Sequence, residues 1–430
     1  MALKTKWALT KTTSYSCPMP GVFRAVAFSK GVVVLFHSPK GCVHIASTLD
    51  IGSQYRNIAD GFMEDRDAVP LISSDMREKD TIFGGTDRLR KAIDYAVETY
   101  HPECLVLAVS CVAGIIGDDV QAVAEEAEAD YGIPVLASTA AGFLGGEYGT
   151  GYEEMANAIV TRFFKKQEHV PGRVLLLGDQ MGAWGQYATE VKEILAWFGL
   201  KAQWQFPGFV PFDEWKDIPS ASLSVILGGI GTTNQIIEKL ADRISDEFGV
   251  PVLGHVYPVG WENTCAFIRA VAAYAGQEAR GEELVGKKEE KISHFIDAVR
   301  HVTEGKKAVV GIGREASWYD PTDTVRTVQH LGMAVTGVIL YDNLSAGDKE
   351  FMTEKLKALT DAPVLDMKDG ESLLKEADLL LTTNELMDIG TKQLFIPMIP
   401  LVGAGGAMQM LRAVYRQLCR YGNKGGIAYV

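Results

Sequence analysis

Short unbroken apolar runs alternate along this chain with longer stretches in which apolar residues recur every three or four positions. In the first part, Val32–Phe36, Leu105–Val109 and Pro134–Ser138 read as strands, and Gly85–Tyr100, Asp118–Tyr131 and Tyr152–Phe164 as helices. A run without polar alternation suits a strand buried on both faces, and strands separated by helices return parallel. The alternation restarts at Arg173, with strands Val174–Gly178, Leu223–Leu227 and Pro251–His255 and helices Gly185–Phe198, Asn234–Phe248 and Asn263–Ala275. It restarts again at Lys307, with strands Ala308–Ile312, Ala334–Leu340, Leu379–Thr383 and Leu394–Pro397 and helices Tyr319–Leu331, Ala346–Leu359 and Ala407–Arg420. The pattern predicts an α/β chain of three parallel-sheet units, 1–170, 171–305 and 306–430. Pro171–Gly172 marks the first boundary, and a charge-rich helical stretch from Gln277 to Lys307 precedes the third unit; its run GKKEEK reads as a solvated face. No strict period links the units, so the repetition is one of fold.

A length of 430 residues exceeds one ordinary core, which agrees with several domains. No apolar run approaches the roughly 20 residues of a bilayer span. The first residues, MALKTKWALTKTTSYS, contain no continuous apolar segment before a small-residue cleavage site, so no secretory signal is expected and a cytoplasmic protein is. The formal charge of −13 disfavours nucleic acid and anionic membranes, leaving small molecules and proteins as expected partners.

Six cysteines without a CxxC pair imply reduced thiols rather than a disulfide framework. Three lie in Gly-containing segments: Cys17 in SCPMPG, Cys42 in HSPKGC after the first strand, and Cys111 in SCVAGIIGDDV after the second. Ligands of open α/β sheets bind at the C-terminal strand edge, where all three would converge. Spacings of 25 and 69 residues, without paired neighbours, do not fit a structural zinc site. Cluster ligation tolerates them, because each thiolate binds its own iron; the residues alone leave metal ligation open. His37 and His44 flank Cys42 and read as hydrogen-bonding loop residues, while Cys104, Cys265 and Cys419 read as packing groups. The glycine-rich stretches GDQMGAWG (178–185), GGIG (228–231), GIGREA (311–316) and GAGGA (403–407) are neither a full GxGxxG nor a phosphate loop, and read as tight turns.

The ordered set SCPMPG, HSPKGC, FGGTDRLRKAI (83–93) and SCVAGIIGDDV resembles the nitrogenase component 1 family over essentially the whole chain. The stretch GFLGGEYGTGYEEMANAIV (142–160) is similar to the β-type subunits. The resemblance implies three Rossmann-like domains with parallel sheets. It also implies pairing with a homologous α-type subunit, as αβ or α2β2, around a bridging iron–sulfur cluster, P-cluster-like (8Fe-7S) or 4Fe-4S. By motif match Cys17, Cys42 and Cys111 take the ligand positions, with Gly21, Gly41 and Gly114 allowing close backbone approach to the cluster.

Departures refine that expectation. Where cofactor-bearing α subunits carry a cysteine this chain has Gly231, Thr232 and Thr233, and where they carry a late histidine FIPMIPLVGAGGAM (395–408) has none. The chain also lacks a long extension before Cys17. The resemblance thus implies a β-type subunit of a nitrogenase-like reductase, with methylthio-alkane reductase the nearest guess. Such a subunit would relay electrons from an ATP-dependent iron protein to a metallocofactor in the α subunit, for reductive C–S cleavage of a small organic sulfide. The alternative is a scaffold subunit for nitrogenase-type cofactor assembly.

Overall fold

The computed structural model describes residues 17–48, 68–178, 186–228, 234–254, 256–313, 321–397, 401–422 and 427–428. The first part runs α1 (Pro18–Arg24), β1 (Val32–His37), α2 (Lys40–Ala46), β2 (Leu71–Ser73), α3 (Asp80–Phe83), α4 (Thr86–Tyr100), β3 (Cys104–Val109), α5 (Cys111–Ile116), α6 (Val120–Tyr131) and β4 (Val135–Ala137). A 3-10 turn, Gly142–Leu144, then leads into α7 (Tyr148–Phe163). Its four strands are all parallel, in the order β2-β1-β3-β4.

Every residue of β1 and of β3 is buried, and their side chains divide alternately between two cores. Val32, Val34 and Phe36 join one core with α1 and α7; Val33 and Leu35 join another with α4 and α6. Helices therefore cover both faces, the condition under which an unbroken apolar strand is stable. The order changes direction between β1 and β3, so the crevice of this sheet opens beyond His37 and Val109.

The second part is β5 (Val170–Leu177), α8 (Gln186–Trp197), β6 (Lys201–Phe206), β7 (Ala221–Ile226), α9 (Asn234–Phe248), α10 (Trp261–Tyr274) and α11 (Glu278–Thr303). Its parallel sheet has the order β6-β5-β7. Leu175, Leu177 and Phe206 share a core with the first sheet, so the two units are packed as neighbours without solvent between them.

The third part is β8 (Lys307–Ile312), α12 (Asp323–His330), β9 (Ala334–Leu340), α13 (Ala346–Lys357), β10 (Val364–Asp366), α14 (Glu371–Glu376), β11 (Leu379–Thr382), β12 (Lys392–Phe395), α15 (Gly403–Cys419) and β13 (Ile427–Ala428). Its six parallel strands run β10-β9-β8-β11-β12-β13. The fold is α/β with three Rossmann-like parallel sheets, as the sequence pattern implies. On this layout we propose the division 1–170, 171–305 and 306–430, whose first boundary falls at the opening residue of β5.

Several expectations shift. The strand expected at Pro251–His255 is reduced to one bridge, Val252 to Ser224, and His255 lies outside the described residues. The helix expected from Tyr319 is seen from Asp323, residues 314–320 lying outside the described set. Most of GDQMGAWG, GGIG and GIGREA, and the Gly231–Thr233 position, also fall outside it. Cys104 is fully buried and Cys265 nearly so, as packing groups should be, whereas Cys419 is exposed because it lies on the outer side of the last turn of α15.

Candidate metal centre

Three segments bring Cys17, Cys42 and Cys111 to the C-terminal edge of the first sheet. Cys17 is the residue before α1, in an extended conformation, with Pro18 and Pro20 fixing the first turn behind it. Cys42 stands in α2, which follows β1 after Ser38 and Pro39. Cys111 opens α5 directly after β3, behind Ser110, whose hydroxyl accepts from the Ala113 N–H at 3.3 Å. The last two therefore leave β1 and β3, the strands on either side of the switch in strand order.

All three thiols are half-buried. Burial pushes the Cys17 thiol up, opposed by the Met19 N–H, and the Cys42 and Cys111 charges push it the same way. Burial also raises Cys42, with the neighbouring Cys111 charge adding to it. Cys17 thus lies within electrostatic reach of Cys42 and Cys111, and Cys42 within reach of Cys111; for Cys17 and Cys42 these charges favour protonation until a cation takes the proton's place. Among the described residues no three His, Cys, Asp or Glu side chains close on a single-ion site. The donor set of three separate thiols fits a multi-iron group, in which each thiolate binds its own iron, better than mononuclear zinc. Cys17 and Cys42 also pack against the large core shared by the first two sheets, which supplies an apolar wall.

The three glycines expected near the cluster behave differently. Gly21 faces α7: a β-carbon there would stand 2.0 Å from the Tyr148 carbonyl oxygen. Gly151 on α7 answers it, with 2.1 Å to the Pro18 carbonyl. The absence of side chains at both positions lets α1 cross α7 in contact, so Gly21 positions Cys17 through a helix crossing and its space is taken. Gly114 faces Ala141: a β-carbon there would stand 2.5 Å from the Ala141 Cβ. Only Gly41 faces open space.

His37 and His44 do not form a zinc site with Cys42. His37 is the fully buried last residue of β1, with Nδ1 2.9 Å from Ser74 Oγ and Nε2 2.8 Å from Asp118 Oδ2. His44 is exposed on α2. Sequence reasoning missed Asp118 and Ser74; the only signal was the Asp-Asp pair after α5, which reads as a helix start, and Asp119 does fill that role by capping Ala122 at 3.0 Å.

Large apolar side chains stand exposed around this edge: Ile82 and Phe83 on α3, Ile115 on α5, and Phe143 and Leu144 on the 3-10 turn. Phe83 is 85% exposed and Ile115 72%, and α3, α5 and the turn pack against one another in that order. Exposed apolar side chains gathered on packed, neighbouring elements are the mark of an interaction site.

The chain matches the family model described as nitrogenase component 1 type oxidoreductase over residues 17–419. It is 28% identical over 334 residues to the nitrogenase molybdenum-iron protein alpha chain of Methanosarcina barkeri, covering 75% of this chain and 59% of that protein. It is 30% identical over 311 residues to the nitrogenase iron-molybdenum cofactor biosynthesis protein NifE of Clostridium pasteurianum, covering 70% of this chain and 62% of the relative. These alignments span about three-fifths of the relatives' own length. The alpha chain of Methanococcus maripaludis is 26% identical over 94% of this chain and 86% of its own. The solved structure of nitrogenase Cp1 at pH 5 superposes with a TM-score of 0.66 at 18% identity, covering 97% of this chain and 91% of that one.

Proposed function

The chain belongs to the nitrogenase component 1 type oxidoreductase family, and we propose that it is the β-type, cluster-bearing subunit of a nitrogenase-like reductase. In this reading Cys17, Cys42 and Cys111 hold one side of an iron–sulfur cluster, P-cluster-like or 4Fe-4S, and a homologous α-type subunit holds the other. What supports it is that Cys42 and Cys111 follow β1 and β3 on either side of a parallel sheet's switch point, that Cys17 feels the charges of both, and that exposed apolar side chains stand on α3, α5 and the adjoining 3-10 turn. Three thiolates leave positions open on a cluster of four or more irons, and the apolar rim calls for a covering protein surface. When bound, the cluster supplies a one-electron relay between an ATP-dependent iron protein and a metallocofactor in the partner. The chain's own part is to present thiolates on preformed segments, to donate the Met19 N–H toward Cys17, and to keep water out with the core beneath.

Gly231, Thr232 and Thr233, and the lack of Cys and His in 395–408, support a chain that does not itself ligate the reducing cofactor. The relatives named above are alpha chains and NifE, so the β-type place rests on those two stretches and on residues 142–160. The proposed reaction is reductive C–S cleavage of a small organic sulfide. The test is anaerobic co-expression with its partner, followed by iron analysis, EPR, and turnover with reductase, ATP and dithionite on dimethyl sulfide-type compounds, dinitrogen and acetylene. Cys→Ala at 17, 42 or 111 is expected to strip the iron signal; full iron content in all three variants sinks the site. Methane or ethylene from the sulfides supports the reaction, and ammonia from dinitrogen overturns it.

A second reading, a scaffold on which a metallocofactor is built, is favoured by the 30% identity to NifE. Transfer of a metallocofactor to an acceptor protein, without repeated substrate turnover, separates it from the first.

A further inference from the structure

His37 is attached to both ends of the Cys111 segment. Its carbonyl accepts from the Ser110 N–H at 3.2 Å, just before Cys111, and its ring meets Asp118 just after α5. The other ring nitrogen meets Ser74, whose hydroxyl oxygen also accepts from the Ser38 N–H at 3.1 Å. Ser38 leads into the Cys42 segment and is held a second time by Ser73, whose hydroxyl donates to the Ser38 carbonyl at 2.8 Å. One buried imidazole therefore ties Ser38, which leads into the helix carrying Cys42, to the segment carrying Cys111.

The proton arrangement is fixed by what each partner can do. Asp118, only 4% exposed at its side chain, accepts from the Gly85 N–H at 2.9 Å and from the Nε2–H of His37 at 2.8 Å. Nδ1 is then the acceptor for the Ser74 hydroxyl, whose oxygen is free to receive Ser38. Burial, the largest influence on His37, holds it below its ordinary range despite Asp118, in keeping with a neutral ring. Gly85 leaves room for the network, since a β-carbon there would lie 2.6 Å from Asp118 Oδ2 and 3.0 Å from His37 Cε1. Such a closed, fully satisfied set of buried hydrogen bonds admits one geometry.

We propose that His37 and Asp118 are positioning residues for the thiol set, holding the Cys42 and Cys111 segments at one separation across the first sheet's switch point before any cluster is assembled. This rests on the reading of Cys42 and Cys111 as ligands, so the test begins on the metal-free, full-length chain. A bis-thiol cross-linker is applied, and the linked Cys42–Cys111 peptide is followed by mass spectrometry in wild type, Asp118→Ala, Asp118→Asn and Ser74→Ala. Loss of an outer-shell partner typically costs 10–100-fold in metal affinity; if that loss comes from misplaced ligands, Asp118→Ala is expected to slow linking about tenfold while single-thiol alkylation is unchanged. Asp118→Asn still accepts the Gly85 N–H, and its amide can donate to Nε2 once the ring carries its proton on Nδ1 toward Ser74 Oγ, so it is expected to recover most of the linking rate. In the iron-loaded complex the same Asn variant, having lost a buried negative charge, shifts the cluster potential positive and alters its EPR line shape, neither of which a merely structural residue would do.

Wild-type linking rates in both Asp118→Ala and Ser74→Ala overturn the proposal, as does an unchanged potential in Asp118→Asn. If Asp118→Ala fails to fold, Ser74→Ala and Asp118→Asn decide it. A chain that links as expected yet never retains iron leaves the positioning intact and defeats the cluster assignment instead.

Discussion

Gly142 is pressed against the main chain of Cys111: a β-carbon on residue 142 would stand 2.3 Å from the Cys111 nitrogen and 2.8 Å from its Cβ. Its φ of +50° adds a backbone reason for glycine. Gly142→Ala must therefore displace the Gly142–Leu144 turn or α5, and with either the fit of Cys111 into its site. Overpacking of this kind costs about 1–3 kcal/mol. The expected result is a lower melting temperature and reduced iron retention, while Gly286→Ala on the exposed face of α11, with nothing within 4 Å, keeps both. Equal iron in the two variants contradicts the account.

Thiol chemistry on the metal-free chain gives an independent check. Cys419 is exposed and should alkylate first. Burial and mutual charge raise Cys17 and Cys42, so their alkylation should become fast only at pH above that of an unperturbed thiol. Cys104, fully buried and pushed up to about 12, should stay unreactive until the chain unfolds. Mass-spectrometric rates against pH provide the ranking; Cys17 reacting as fast as Cys419 at neutral pH runs against the burial described.

How much of this was legible in the sequence depends on burial. β1, β3 and β8 are uninterrupted apolar runs because both their faces are covered, and each was readable within a residue or two. β6, KAQWQF, was not: its first half is polar and partly exposed at a sheet edge. β2 and β10, three residues each, are too short to show a period. α1 was hidden by two prolines, which fit its first turn but read as loop residues. The cysteines were singled out through their Gly-containing segments, and Cys42 and Cys111 also through their place after strands. Asp118 and Ser74 were not, because they serve the site by reaching His37 across 81 and 37 residues of sequence.

The apolar rim predicts where the partner binds. Phe83→Asp and Ile115→Asp replace side chains that are mostly in solvent in the single chain, so its melting temperature should hardly change. Each should reduce recovery of the partner in anaerobic pull-downs about tenfold or more, the loss expected from an apolar anchor worth at least about 1.4 kcal/mol. Undiminished recovery from the double variant excludes this face.

The last prediction concerns the tie between the second and third units, where His330 at the end of α12 lies 2.6 Å from Glu262 in the first turn of α10. The hydrogen bond to Glu262 raises His330 despite burial. For Glu262 burial pushes upward most strongly, but the His330 contact, a backbone N–H and the Arg326 charge together outweigh it and the carboxyl sits below its ordinary range. The histidine's contribution is therefore present below its unfolded value of 6.5 and is lost as pH rises through its higher folded value. The glutamate's contribution is present above 4.5 and is lost as pH falls through its lower folded value. The pair is thus strongest between those limits. Both side chains are about one-third exposed, so solvent screening holds the gain to roughly 0.5–1 kcal/mol. His330→Gln should lower the melting temperature by about 1–2 °C near pH 5.5 and make little difference by about pH 8.5. A gap of the same size at both pH values would assign the loss to packing and remove the ion pair from the account.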